Sequence, residues 1–489
     1  METNLTAQQS DYAVFLPALS TFYALFVGRQ RRGLIDNDPY IPLNRVPSGL
    51  KHGVESINWL APEGLWQYKW SLHSAGHASL DLQKDMFRED MYRDRNRETS
   101  WLLGDSGGFQ IGKGKWEGDW RAGSGCPQAH KKRDGVLKWM DAFMDYGMIL
   151  DIPTWIAREK HSAAVTKITS YQESVDGTKH NNEYFINNRN GNCKFLNVLQ
   201  GENFSQADDW YDQVKEFCDP KVYPDAHFNG WAMGGQNMCD VHLSLRRVVT
   251  LMHDGLLEKG KHDVMHFLGT SKLEWAMVLT AIQRGVRKQH NENFTVTFDC
   301  ASPFLCTANG QQYTGYRLDN DTKWSYVMED APDDKAWNAN TTPYDDFCDA
   351  MYDNWMPSPI TNLLKLNDIT IYSPTDVNRM GVSTATSWDS FAYALMMNHN
   401  VYTHIRSVQE ANRAYDNGDY PTMLVDDRFD RTEVKDVIAR IFEIDDRDKQ
   451  LQMIDDHSRL WMRVIGTRGY TGKKSVNAST QFNNLFSEV

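Results

Sequence analysis

Short apolar runs recur along the 489 residues, and each closes on or passes through a small or polar residue. SWLLGD closes on Asp105, YGMILD on Asp151, KFLNVLQ on Gln200, VMHFLG on Gly269 and FTVTFD on Asp299, while HFNGWAMGG passes through Gly230. Such runs are too short for helices and are bounded by turn-formers, so they predict strands. Between them lie DGVLKWMDAFMDY, SQADDWYDQVKEFC, LSLRRVVTLMHDGLLEKG and KLEWAMVLTAIQRGVR, whose apolar residues fall at helical spacing. The third of these closes on a glycine, as helices often do. Strand and helix alternate every roughly thirty to fifty residues, the rhythm of parallel βα units. The expected fold is therefore α/β, a (β/α)8 TIM barrel, in which the C-terminal ends of the strands build the site. The polar tags fall at those ends. The expected organisation is an N-terminal extension over 1–70 packed on the barrel, the barrel with insertions over 71–415, and a C-terminal helical segment over 416–489.

Composition changes this picture little. The chain is 41% apolar, enough for a large core. No run is long and apolar enough to cross a membrane. The N-terminal YAVFLPALSTFYALFVG holds Pro17, Ser20 and Thr21 and precedes the basic RQRR, the reverse of a signal peptide's charge order, so it reads as folded structure. Seven cysteines stand singly with no C-x-x-C pair, which fits a reducing cytoplasm and offers no local spacing for a structural zinc. The net charge of −13 argues mildly against nucleic acid. Basic clusters at Arg29–Arg32, Lys131–Arg133 and Lys473–Lys474 leave room for a local basic groove.

The stretch WLLGDSGGFQIGKGK places Asp105 at a strand end, followed by Ser106, Gly107, Gly108 and Phe109. A tight βα turn capped by Asp105 would explain it. So would an acid at work, with glycines making room beside it. Several motifs in order favour the second reading. DSGGFQ resembles the signature of tRNA-guanine transglycosylases. ILD at Asp151, VLQG at Gln200, GWAMGG from Gly230, HFLGTSKLEW and FDCASP around Asp299 resemble that family's successive motifs, and NHNVYTHIRSVQEANRAYD resembles its H-N-L-x-x-Y helix. The resemblance spans roughly residues 75–415.

The resemblance implies base exchange at a nucleoside, a pentosyltransferase reaction. It makes Asp299 the nucleophile of a covalent glycosyl intermediate and Asp105 the general acid/base. Asp151 would read the guanine N1–H and N2–H2 donors, and Gln200 with the backbone at Gly230 would meet O6. Phe109 offers a stacking face, Gly107 and Gly108 let the backbone come close to the base where a Cβ would clash, Ser106 joins them in binding the substrate, and Leu268 closes the apolar side. Met233 reads as core. The family's zinc site is expected to be absent: His399 stands at its histidine position, but DITIYSPTDVNRMG upstream holds no cysteine. No cofactor is expected beyond a free 7-deazaguanine base as co-substrate. Where the family's G-L-A-V-G-E ends in glutamate, Gly235 and Gln236 follow here, and the missing carboxylate points to a neutral 7-cyano base (preQ0-like) over the cationic aminomethyl form.

These departures, and the lack of a recognisable RNA-binding appendage, resemble the DNA-acting branch of the superfamily, encoded by phages and bacterial genomic islands. The implied partner is double-stranded DNA in the bacterial cytoplasm, with protection from restriction as the outcome. Lys113, Lys115, Arg121, Lys131, Lys132 and Arg133 are the expected phosphate contacts. A tRNA-modifying enzyme of the same chemistry, a catalytically dead binding module and an unrelated barrel glycosidase are the alternatives.

Overall fold

A computed structural model describes residues 2–35, 41–84, 88–319, 324–371, 386–426 and 432–464. Eight parallel strands run β1 (Val14–Pro17), β2 (Trp70–Ser74), β3 (Trp101–Asp105), β4 (Tyr146–Met148), β5 (Lys194–Leu199), β6 (Gly230–Met233), β7 (Val264–Phe267) and β8 (Thr295–Cys300). The sheet order is β1-β8-β7-β6-β5-β4-β3-β2, each strand beside its neighbour in sequence. β1 also meets β2 through an Ala18–Leu72 bridge and a 2.8 Å bond from Leu19 N–H to Leu72 O, which nearly closes the sheet. This is a TIM-type barrel.

The six runs singled out above are β3 to β8. The two strands missed both involve the first seventy residues. That segment is not an extension laid on a barrel: it supplies β1 and the helix Thr21–Ile35, and β2 begins at its end. β1 pairs with β8 from Val14↔Thr297 to Pro17↔Cys300. Pro17 is the last residue of β1.

Helices Pro127–Phe143, Tyr171–Asn188, Phe204–Val214, Val241–His253 and Leu273–Gln289 ring the sheet. The Asp240 carboxylate caps the fourth by accepting from Leu243 N–H at 3.1 Å, and Asn203 caps the third by accepting from Gln206 N–H at 2.9 Å. Val241–His253 stops earlier than expected: Gly255 takes φ +73°, and the remaining DGLLEKG lies outside the helix. After β8 the chain makes a hairpin of β9 (Gln311–Arg317) and β10 (Ser325–Asp330). It then returns through the 27-residue helix Ser390–Asp416, which packs against Leu273–Gln289 and β1. Helices Val434–Ile441, Arg447–Asp456 and Ser458–Arg463 cover the outside of the two helices that follow β6 and β7. No described helix is long and apolar enough to cross a membrane.

Candidate functional site

The C-terminal ends of the strands open into a cavity of about 250 Å³. Asp105, Asp151, Gln200 and Asp299 all line it, delivered by β3, β4, β5 and β8. Residues 194 positions apart in sequence thus share one wall, because the closed sheet brings β3 and β8 to the same rim.

Asp299 projects inward with Thr297, two residues earlier on the same face of β8. Its Oδ1 accepts from the Gly269 N–H at 2.8 Å and lies 3.2 Å from His266 Nε2. Asp105 ends β3, and its Oδ2 accepts from Ser74 Oγ at 2.5 Å. Burial raises the Asp105 pKa, the Ser74 bond opposes that, and the negative charge of Asp299 adds to the rise. Asp105 therefore holds a proton more readily than an ordinary aspartate, as a general acid must. Asp151 accepts from Gln200 Nε2 at 2.8 Å through Oδ2. Burial pushes its pKa up to about 7, against the Gln200 bond and with help from Asp105.

The glycines do different work from that expected. Gly107 takes φ +83°, and a Cβ there would lie 2.7 Å from the Trp116 ring and 3.0 Å from Gly76 N. It serves the turn and the packing beneath it. Gly108 lines the cavity, but a Cβ on it would meet Asp151 O at 2.8 Å and Oδ1 at 2.9 Å. The room it makes is for the Asp151 carboxyl. Ser106 is buried outside the cavity lining, whereas Phe109 and Leu268 are on it, and Met233 is core.

Gly230 is misplaced by the sequence reading. It begins β6, at the opposite end from the cavity, with its φ of +155° and a would-be Cβ 2.1 Å from Val264 O. The glycines at the cavity are Gly234 and Gly235, after the strand ends. Gln236 also turns away: it is buried, and its Nε2 donates to Asp240 Oδ2 at 2.9 Å. Gly235, which shares that point of the motif, lines the cavity without a side chain.

The six expected phosphate contacts separate. Lys113 Nζ lies 5.5 Å from the Phe109 ring centre and 5.7 Å from that of Trp155, both on the cavity lining. Lys132 Nζ lies 5.0 Å over Trp116. Lys115 and Lys131 are exposed. Arg121 is exposed but bound by both its Nε and Nη2 to Asp119. Arg133 is no surface cation. The KKR cluster lies inside the helix Pro127–Phe143, on which Ala129, Arg133, Val136, Leu137 and Met140 share the buried face. Its Nε donates to Asn181 Oδ1 at 2.5 Å, and its guanidinium rests on Trp120 and Tyr184. Lys473 and Lys474 lie outside the described residues.

Ser74, His77, Trp155, Arg158 and His266 are among the lining or neighbouring residues that the sequence reading did not single out. His77 is a neutral ring, its pKa pushed down to about 4 chiefly by burial, and its Nε2 lies 3.2 Å from Gln110 Nε2. Arg158 pairs with Glu202 at 2.8 Å. His266 carried a readable signal, since it stands two residues before Leu268 and so on the same inward face of β7.

His399 is buried with both ring nitrogens engaged, Nδ1 2.8 Å from Ser358 Oγ and Nε2 2.8 Å from Tyr313 O, and it stacks on Trp355. Most of DITIYSPTDVNRMG lies outside the described residues. Among those described, no three His, Cys, Asp or Glu side chains gather where they could hold a metal ion. No known family model matches the chain, and no curated protein matches it.

Proposed function

We propose that the protein is a guanine transglycosylase that exchanges guanine in DNA for a 7-deazaguanine base. The observation that carries this reading is the convergence of Asp105, Asp151, Gln200 and Asp299 on one cavity, with the two outer acids in unlike surroundings. In the first step an Asp299 oxygen attacks C1′, the bond from C1′ to the guanine nitrogen breaks, and the leaving base takes one proton from Asp105. In the second step the incoming base gives its N9 proton to Asp105, N9 attacks C1′, and the Asp299 carboxylate departs. Two displacements retain configuration, as in retaining glycosidases. Water must be kept from the intermediate, which the tight cavity and a seated base would do.

The Asp151 carboxylate and Gln200 suit the donor-rich edge of guanine, and Phe109 with Trp155 suits a base swung out of its stack. Apart from Arg158 and Glu159 at the mouth, the rest of the wall is largely apolar, with Met148, Met238, Leu268, Phe304 and Leu305. A neutral 7-cyano group suits that apolar part of the wall, whereas an ammonium would have to reach a carboxylate such as Glu159. Lys113 and Lys132 are suited to the phosphates beside a flipped nucleotide.

The test is expression in cells that make 7-cyano-7-deazaguanine, followed by digestion of plasmid DNA and tRNA to nucleosides and mass spectrometry. The expected result is deazaguanine in DNA with wild type and none with Asp299→Ala. Deazaguanine confined to tRNA would keep the chemistry and replace the substrate. No modified nucleoside in either pool would overturn the proposal.

A further inference from the structure

His266 lies in the barrel interior directly beneath the cavity and is fully buried. It pairs in register with Thr297 across β7 and β8, and Ala232 lies on its other side. Its Nδ1 is 2.9 Å from Thr297 Oγ1 and its Nε2 is 3.2 Å from Asp299 Oδ1. The direction of these bonds follows from chemistry. A carboxylate oxygen accepts, so Nε2 carries the ring proton in that contact, and in this tautomer Nδ1 accepts the Thr297 hydroxyl proton. The chain runs Thr297 O–H to His266 to Asp299.

Both donors to Asp299 arrive at one oxygen. Oδ1 takes the Gly269 N–H and the His266 Nε2–H, while Oδ2 meets no donor among the described residues. The carboxylate is thus fixed in rotation, with one oxygen tied to the barrel and the other left for the cavity. Building on the base-exchange reading, we propose that His266 is a positioning residue for the nucleophile: it selects Oδ2 as the atom that attacks C1′ and Oδ1 as the carbonyl oxygen of the glycosyl ester. In the attack, a lone pair of Oδ2 forms the bond to C1′ as the base departs with the bonding pair. In the return step the C1′–Oδ2 pair goes back to the carboxylate, whose charge is again shared with Oδ1. The His266 N–H stabilises that returning charge, so its loss retards the second step more than the first.

The experiment compares His266→Phe, which removes the donor, with His266→Gln, which restores an N–H near the Nε2 position, and with Thr297→Val, which removes the bond that fixes the tautomer. Melting curves check folding, and steady-state exchange is read with the covalent protein–DNA adduct trapped on denaturing gels. In His266→Phe, kcat is expected to fall about 10- to 100-fold with little change in the KM for the base. The adduct fraction should rise above wild type, which a loosened core would not produce. His266→Gln should recover most of the rate, and Thr297→Val should accumulate adduct to a lesser degree. Should the phenylalanine variant fail to fold, the other two decide the matter. Wild-type rates and adduct levels in every folded variant would overturn the role of His266 while leaving base exchange intact. A wild type that exchanges no guanine in DNA or tRNA would overturn both.

Discussion

Asp151 is held near neutrality by opposing forces, and its titration links stability to binding. Burial raises its folded pKa from the ordinary 3.8 to about 7. Between those values the folded protein keeps a proton that the unfolded chain has lost, so the contribution of this group to stability falls as pH rises through that window. The shift corresponds to at most about 4 kcal/mol. Asp151→Asn, which keeps a polar partner for Gln200, should therefore melt above wild type at pH 8 and alongside it at pH 4. Binding should move the other way. A base that offers two donors needs the carboxylate, so wild-type affinity should fall about tenfold per unit below pH 7, and the asparagine variant should bind weakly with no such slope. Calorimetry of 7-deazaguanine binding from pH 5 to 8 reads both. An asparagine variant that binds as tightly as wild type at pH 8 would remove Asp151 from base reading.

At the scale of elements, the C-terminal helices dock through a glycine window. A Cβ on Gly285 would lie 2.2 Å from the Phe442 ring, so the helix Leu273–Gln289 leaves a notch where that ring sits. Gly285→Leu should expel Phe442 and loosen Val434–Ile441, at a cost of about 1–3 kcal/mol. The notch is at the helix end far from the cavity, so base binding should persist while limited proteolysis begins within residues 432–464; loss of base binding with an unaltered digest would contradict this. The same comparison of elements shows what the sequence could and could not reveal. Six strands were legible because each is a compact apolar run closing on a turn residue. β2 was not, since WSLHS mixes polar residues through both faces: Ser74 faces the cavity, and His73 pairs with buried Glu89 at 2.8 Å. Asp105, Asp151, Gln200 and Asp299 were legible because strand ends announce themselves in the pattern. Gly230 was misread because a motif with glycines at both ends of a short strand does not say which end meets the cavity. Arg133 was misread because a cation inside a basic triplet hides the helical period that buries it.

The whole molecule depends on its N-terminus and on a few cations. β1 makes the seam with β8 and the bridge to β2, and Ala18 to Thr21 line the cavity. A chain beginning at residue 71 should lack a closed sheet and elute as aggregate with no base binding. A monodisperse fragment with a cooperative melt would instead make the segment a true extension. Charge sets the second expectation. A net charge of −13 disfavours approach to DNA, but at physiological salt such repulsion fades beyond about 8 Å, leaving local contacts to decide. Arg121 is already bound to Asp119 and Arg133 is buried, so neither is placed to neutralise a phosphate. Lys113 and Lys132 rest on aromatic rings beside the cavity and its turn, and the base-exchange proposal assigns them the phosphates beside a flipped nucleotide. Each phosphate neutralised contributes about −0.9 to the slope of log K against log salt. Lys113→Ala with Lys132→Ala should therefore lower the magnitude of that slope by about 2 and weaken binding alike across DNA sequences. Arg121→Ala should leave the slope unchanged, and Arg133→Ala should lower the melting temperature instead. If Arg121→Ala changed the slope as much as the lysine pair, the DNA path would run over the Asp119 loop rather than past Trp116 and Trp155.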